Sequence, residues 1–275
     1  MKFQILGPLH VETGGVPVVP TAAKARQILA LLALSPGRLV PVTTLREELW
    51  GSAPPRSARA TLQTYILRLR RILAAALGGP DGPARARRLL ATGHGGYLLR
   101  IAEEDVDAFA FERAAEAGHA AFADGDDEPA SQRLSRALAL WRGPAFVDIR
   151  TGPVLRIHAA GLEESRLLVT ERLVDAGLRL GRHRELLSDL IQLTERHPAN
   201  ERLYAQAMMA FYRSGRQSAA LDLYRRLRRR LIEELGLEPA PQLQRLHQAM
   251  LSVDPRLDTP AQGGRPTPTF DLYAA

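Results

Sequence analysis

The sequence contains no cysteine. That excludes disulfides, thiolate metal sites, iron–sulfur clusters and cysteine nucleophiles together, and it fits a reducing, cytoplasmic compartment. Lysine is nearly missing: Lys2 and Lys24 are the only two among 37 basic residues, and Asn200 is the only asparagine. With abundant alanine, this is the codon signature of a GC-rich bacterial genome and not a functional signal. Long apolar runs are missing as well. The longest, Ile28 to Leu34, falls far short of the roughly 18 residues a membrane helix needs. The start, Met1 to Pro8, lacks the apolar stretch of a signal peptide. What is present is 275 residues, 45% of them hydrophobic. That is enough for two domains at about 100–200 residues each, in a soluble protein.

Catalytic signatures are missing too. There is no G-x-x-x-x-G-K-[ST] phosphate loop, no H-E-x-x-H, no G-x-S-x-G elbow and no glycine-rich dinucleotide fingerprint. The seven histidines are scattered, with no pair at i, i+4, and the acid pairs Asp126-Asp127, Glu163-Glu164 and Glu233-Glu234 read as exposed helix-end or loop carboxylates. The expectation is therefore no catalytic residue, no metal site, no cofactor and no enzymatic activity.

Charge is placed unevenly. Residues 1–100 hold 14 basic and four acidic residues, a balance of +10, whereas residues 101–275 hold 23 and 26, a balance of −3. A basic block of this size attracts polyanions and speeds encounter with them, although an arginine-rich solvated surface gives the same count.

Within that block, three short β-prone runs (Phe3–Leu6, Leu9–Glu12, Val16–Val19) are separated by turn residues. Apolar residues at 25, 28, 29, 32 and 33 predict a helix over 24–34, stopped by Ser35-Pro36-Gly37. A second helix is expected over 44–50, capped by Thr43. After the loop Gly51-Ser52-Ala53-Pro54-Pro55, one long helix is expected over 57–77. At 100° per residue, Leu62, Ile66, Leu69 and Leu73 fall within about 60° of one another and form the buried stripe. Ser57, Ala60, Thr61, Thr64, Arg68 and Arg71 lie opposite. A face of short polar side chains followed by arginines suits the major groove, with Arg68 able to fork onto a guanine edge. Arg56, Arg59 and Arg70 lie at the margins, where phosphates run. Gly78 to Pro83 breaks the helix. Leu89–Thr92 and Tyr97–Ile101 then flank Gly93-His94-Gly95-Gly96 as a β-hairpin, the wing of a winged helix.

From Val106 to Leu251 the pattern is helical throughout, over roughly 106–121, 129–141, 154–180, 183–196, 200–213, 217–235 and 239–251. Leu180-Gly181-Arg182 and Ser214-Gly215-Arg216 repeat with a spacing of 34 between the glycines, the tetratricopeptide period. Stacked helix pairs of this kind bind partners. Trp141, Phe146, Tyr204, Phe211, Tyr212 and Tyr224 read as packing residues. The run Arg225 to Arg230 reads either as a second nucleic-acid site or as a solvated face paired with Glu233 and Glu234.

Leu45–Trp50, Pro54-Pro55, Leu62–Leu73 and Thr92…Gly96-Tyr97-Leu98-Leu99 together resemble the OmpR/PhoB-type DNA-binding domain, in the variant of the Streptomyces antibiotic regulatory proteins. Val106–Phe109, Ala139–Phe146, His197-Pro198…Leu203 and Gly215…Pro239 are similar to the bacterial transcriptional activator domain that follows it in that family. The fold class expected is mainly α: an N-terminal winged helix-turn-helix with a small N-terminal sheet and a C-terminal wing hairpin, then an all-α, TPR-like domain. The expected limits are 1–101, 102–252 and a disordered Pro/Thr/Gly-rich tail over 253–275. The resemblance implies an activator, without cofactor, that binds direct repeats in double-stranded promoter DNA near the −35 element. It implies recruitment of RNA polymerase holoenzyme through its sigma factor, for a secondary-metabolite gene cluster. Protomers would sit as a homodimer or side by side, with the loop Gly51–Pro55 toward polymerase. Relatives often carry arginine just after the wing threonine. This chain has Gly93 there, so Arg88 or His94 would join Thr92 as wing contacts. The competing expectation is a TPR-type interaction adaptor without sequence-specific DNA binding.

Overall fold

The computed structural model describes residues 1–258. They form two compact units, one built from Met1–Ala115 with Arg136–Leu167, the other from Glu116–Ser135 with Leu168 onward. The division in space does not fall at residue 101: segments 102–115 and 136–167 belong to the unit that contains the winged helix.

The first unit opens with an antiparallel sheet, β1 (Lys2–Gln4), β2 (His10–Thr13) and β3 (Val16–Pro17), with Phe3 opposite Val11 and Thr13 opposite Val16. Helix α1 (Ala23–Ala33) buries Ala25, Ile28, Leu29 and Leu32, as its periodicity predicts. After β4 (Val40–Pro41), α2 (Val42–Trp50) begins directly behind Pro41. Thr43 is thus inside the helix and not its cap. Leu45 and Leu49 are buried, and Trp50 is half-buried. Helix α3 (Ala58–Leu77) buries Leu62, Ile66, Leu69 and Leu73, each at 1% exposure.

An unpredicted helix follows, α4 (Gly82–Leu89), started by Pro83 in its first turn. It crosses α3 so closely that a Cβ on Gly82 would lie 2.7 Å from the Ala74 carbonyl oxygen. The wing is β5 (Leu90–Gly93) and β6 (Gly96–Leu99), with β4 on the far side of β6. Gly96 is dictated by that third strand, because a Cβ would stand 2.3 Å from the Val40 carbonyl oxygen.

Three carboxylates fasten the segments beyond residue 101 to this unit. Asp107, at the start of α5 (Asp107–Asp124), accepts from the Ile5 and Leu6 amides at 2.8 and 3.1 Å. Burial pushes its pKa up, against the lowering by those amides and by Arg142. Asp148 accepts from the Leu9 amide at 2.8 Å and from Arg26. Glu48, 2% exposed, accepts from the Gly152 and Leu155 amides at 2.6 and 2.9 Å and from the Gln27 side chain at 3.2 Å. It thereby satisfies donors that the N-terminus of α7 (Pro153–Arg179) leaves open. Trp141 meets Phe111 edge-on at 5.4 Å and carries Arg166 over its ring; Phe146 is 1% exposed.

The second unit is helical, completed by α6 (Asp127–Leu138), α8 (His183–Arg196), α9 (Glu201–Arg213), α10 (Gln217–Leu235) and α11 (Pro241–Leu251). The 34-residue period is visible in the backbone. Gly181 and Gly215 both take φ +77°. In both turns the following arginine amide bonds back to the carbonyl five residues earlier, Arg182 to Gly177 and Arg216 to Phe211, each at 2.9 Å. Asn200 caps α9 by accepting from the Leu203 amide at 3.1 Å. Tyr204, Met208, Phe211, Leu223, Leu227 and Leu246 form the core, with Tyr224 buried and Tyr212 partly buried against it. Of the tail expected from residue 253, the described part is structured. Asp254 caps a 3₁₀ turn over Pro255–Leu257, and Leu257 is buried in the same core. Residues 259–275, the rest of that expectation, lie outside the described residues. Among the described residues, no helix is long and apolar enough to cross a membrane.

Candidate nucleic-acid interface

Helix α3 contains four arginines and no acidic residue over its whole length. Its buried stripe packs inward, so the opposite face is open by construction. Thr64, Arg68 and Arg71 are exposed on it and Thr61 is half-exposed. The Thr64 hydroxyl donates to the Ala60 carbonyl at 3.1 Å, which leaves its lone pairs and methyl facing outward. Thr61 sits 3.4 Å from the Ser57 hydroxyl. Arg59 is exposed in the first turn of the same helix and Arg56 is exposed in the turn just before it. Among the described residues, the guanidiniums of Arg56, Arg59, Arg68 and Arg71 have no ion pair or hydrogen bond. Three guanidiniums on α3 and a fourth just before it, without counter-charges, are an unneutralised cationic surface.

Arg70 differs from its neighbours. Its Nε donates to the Leu90 carbonyl at 2.9 Å and its terminal nitrogen to the Thr92 hydroxyl at 2.8 Å. Burial, aided by Arg87, lowers its pKa from the usual arginine value, with Tyr97 opposing. Two residues expected to act separately, one on phosphate and one in the wing, are thus joined in a clamp that fixes β5 against α3. His94 is exposed at the wing tip beside Gly95, which takes φ +78°. Arg88 is not on the wing. It is exposed in the last turn of α4, immediately before β5. Gly93 sits against Leu39: a Cβ there would lie 2.5 Å from its Cδ1, so a larger residue would require that half-exposed side chain to turn away.

The loop between α2 and α3 is exposed from Ser52 to Pro55, with Gly51 half-exposed and its amide bonded to the Glu47 carbonyl at 2.7 Å. Two residues on the open side of α3 went unassigned in the sequence: Gln63, which is exposed, and Leu67, 53% exposed. A signal was available, since Leu67 lies about 100° from Ile66 and outside the buried stripe.

The arginine run of α10 has the opposite character. Arg225 pairs with Asp222 at 2.7 Å, Arg226 with Glu195 at 3.7 Å, Arg228 with Glu238 at 2.6 Å and Arg230 with Glu234 at 3.0 Å. Four of the five arginines in the run are therefore paired on a solvated face, and Arg229 is exposed beside them. Of the two acids expected as partners, Glu234 serves, and Asp222, Glu195 and Glu238 do the rest. Among the described residues, no group of three or more His, Asp or Glu is arranged to hold a metal ion.

A basic helix without acids, a wing hairpin bonded to it and a following helical-repeat segment define a winged-helix transcriptional regulator. Comparison with known proteins agrees: residues 17–99 match the family described as transcriptional regulatory protein, C terminal, and residues 106–251 match the bacterial transcriptional activator domain. The chain belongs to the Streptomyces antibiotic regulatory protein family of transcription regulators. It is 49% identical over 259 residues to regulatory protein DnrI of Streptomyces peucetius, covering 94% of each chain. It is 37% identical to transcriptional regulator RedD of Streptomyces coelicolor, covering 95% of this chain and 73% of RedD. Among solved structures, Mycobacterium tuberculosis EmbR in complex with a low-affinity phosphopeptide superposes with a TM-score of 0.84 at 36% identity. That match covers 92% of this chain and 65% of the EmbR chain.

Proposed function

We propose that the chain is a sequence-specific transcriptional activator that reads direct repeats in promoter DNA near the −35 element. Thr61, Thr64, Arg68 and Arg71 face the bases of the major groove. Arg56 and Arg59 contact phosphates, Thr92 and His94 bring the wing to the neighbouring groove, and Arg88 approaches the backbone from α4. Arg70 acts through its clamp on the wing. The observation that carries this reading is the acid-free, unpaired cationic face of α3. Side-by-side protomers on direct repeats lie about one helical turn, 10–11 bp, apart on one face of the duplex. The exposed loop Gly51–Pro55 meets RNA polymerase holoenzyme at its sigma factor. The likeness to DnrI and RedD, both named as regulators of Streptomyces, supports a secondary-metabolite gene cluster as the target.

The test is in-vitro selection of genomic fragments by the purified protein at about 150 mM salt with competitor DNA, beside an Arg68→Ala control. The expected result is enrichment of tandem repeats upstream of promoters, lost in the control. No enrichment by either protein would leave a helical-repeat adaptor as the better reading. On the selected promoter, run-off transcription with Pro54→Ala/Pro55→Ala should fall while DNA affinity stays unchanged. A loop variant that activates fully would remove the polymerase contact.

A further inference from the structure

We infer that Leu67 is a specificity-determining residue that reads the 5-methyl group of a thymine in the major groove; this rests on the DNA-binding reading of α3. The four other leucine and isoleucine side chains facing the core from the middle of that helix, Leu62, Ile66, Leu69 and Leu73, are each 1% exposed, whereas Leu67 is 53% exposed. It stands beside Gln63, Thr64 and Arg71, its exposed neighbours at i−4, i−3 and i+4, and beside Arg70 at i+3, which is bonded to the wing. The charge around it selects the occupant. A helix with four arginines and no acid draws a polyanion, and an apolar side chain within that surface needs an apolar group on the polyanion. Along the phosphate and sugar rim, the charged phosphates dominate. On the major-groove edges of the bases, the thymine methyl is the one apolar group presented, and apolar side chains recognise it. Gln63, one turn earlier and also exposed, is a residue type that hydrogen-bonds adenine edges, so the pair reads an A·T-containing step beside the position read by Arg68.

The probe is the duplex recovered by selection, with each thymine in turn replaced by deoxyuridine. That change keeps every hydrogen-bonding group and removes only the methyl. For the wild-type protein, one thymine per repeat should cost about fourfold in affinity, the worth of one buried methyl-sized group. Leu67→Ala should bind the unmodified duplex about as weakly as the wild type binds the uracil duplex, and should lose nothing further on uracil. Leu67→Met should keep most of the methyl dependence. Leu67 is exposed and alanine favours helix, so the variant should melt with the wild type, and that melt is the folding control. Two results overturn the inference alone: selection of a sequence in which no thymine methyl matters, or a methyl effect that persists undiminished in Leu67→Ala. Failure to select any sequence overturns the DNA-binding reading and this inference with it.

Discussion

Helices α3 and α10 are almost equal in length, 20 and 19 residues, and both are rich in arginine. Their arginines meet opposite fates. In α10, Arg225, Arg226, Arg228 and Arg230 each lie within 4 Å of a carboxylate. In α3, Arg59, Arg68 and Arg71 face no acid, and Arg70 is bonded to a backbone carbonyl and a hydroxyl of the wing. The lesson is that arginine count says little about polyanion binding, whereas arginine without a partner says a great deal. Exposed ion pairs such as those of α10 add little stability, but they cancel the field that attracts DNA.

The comparison is broken most severely by exchanging the fates of the two helices. Arg59→Ala/Arg68→Ala/Arg71→Ala should weaken binding to the selected duplex by about a thousandfold. Arg225→Ala/Arg226→Ala/Arg228→Ala, which removes three paired arginines, should stay within about threefold of wild type. Fluorescence anisotropy on a labelled duplex measures both. Equal losses would mean that pairing is not what separates the helices.

Arg68→Ala alone should lose roughly 1–3 kcal/mol and relax preference at one base position, as read by selection with the variant. Unchanged preference would move the base contact to Arg71.

Arg70→Ala should destabilise the winged helix by about 1–2 kcal/mol in urea unfolding, because two donors to the wing are lost and the Leu90 carbonyl is left short of a partner. An exposed phosphate contact would show a loss of affinity with no loss of stability, which separates the clamp from the simpler role.

The helical unit should lose stability as pH falls from about 7.5 to 5.5. His119, His183 and His247 all have lowered pKa values, chiefly through burial; nearby arginines, Arg172, Arg213 with Arg184, and Arg225 respectively, add to the effect. The unfolded chain then binds protons more readily than the folded one. The contribution is fully present above the ordinary histidine value and is lost as pH falls through it. Denaturation midpoints across that range check the sign, and a midpoint that rises on acidification would contradict it.

The smallest effect belongs to the exposed pair of Arg228 and Glu238. Glu238→Gln should change neither the melting temperature nor the DNA affinity measurably, although the arginine holds the Glu238 carboxyl below the usual range.

Much of this was legible in the sequence because the signals are local. The strands, the stripe of α3 and the helices α5 to α11 fall within about three residues of their expected limits. The paired glycines Gly181 and Gly215 announce the repeat, and their backbone angles agree. Helix α4 was missed because Gly82-Pro83 reads as a break, whereas proline in a first turn also starts helices. The attachment of residues 102–115 and 136–167 to the winged helix was not legible. It runs through Glu48, Asp107 and Asp148, whose partners lie more than 100 residues away, and a carboxylate in sequence looks the same whether it caps a distant helix or faces water. The face of α3 was readable from periodicity. The position of Arg70, about 40° from Ile66, placed it at the buried margin. Its partners, Leu90 and Thr92, came from the folding back of the wing and from no pattern in the helix.

The most direct measurement is the slope of log K against log salt for the wild type and the two triple arginine variants on one selected duplex. The account predicts that the α3 variant is shallower by about 0.9 for each arginine that contacts phosphate, while the α10 variant keeps the wild-type slope. A wild-type slope in the α3 variant, or a shallower slope in the α10 variant, would contradict it.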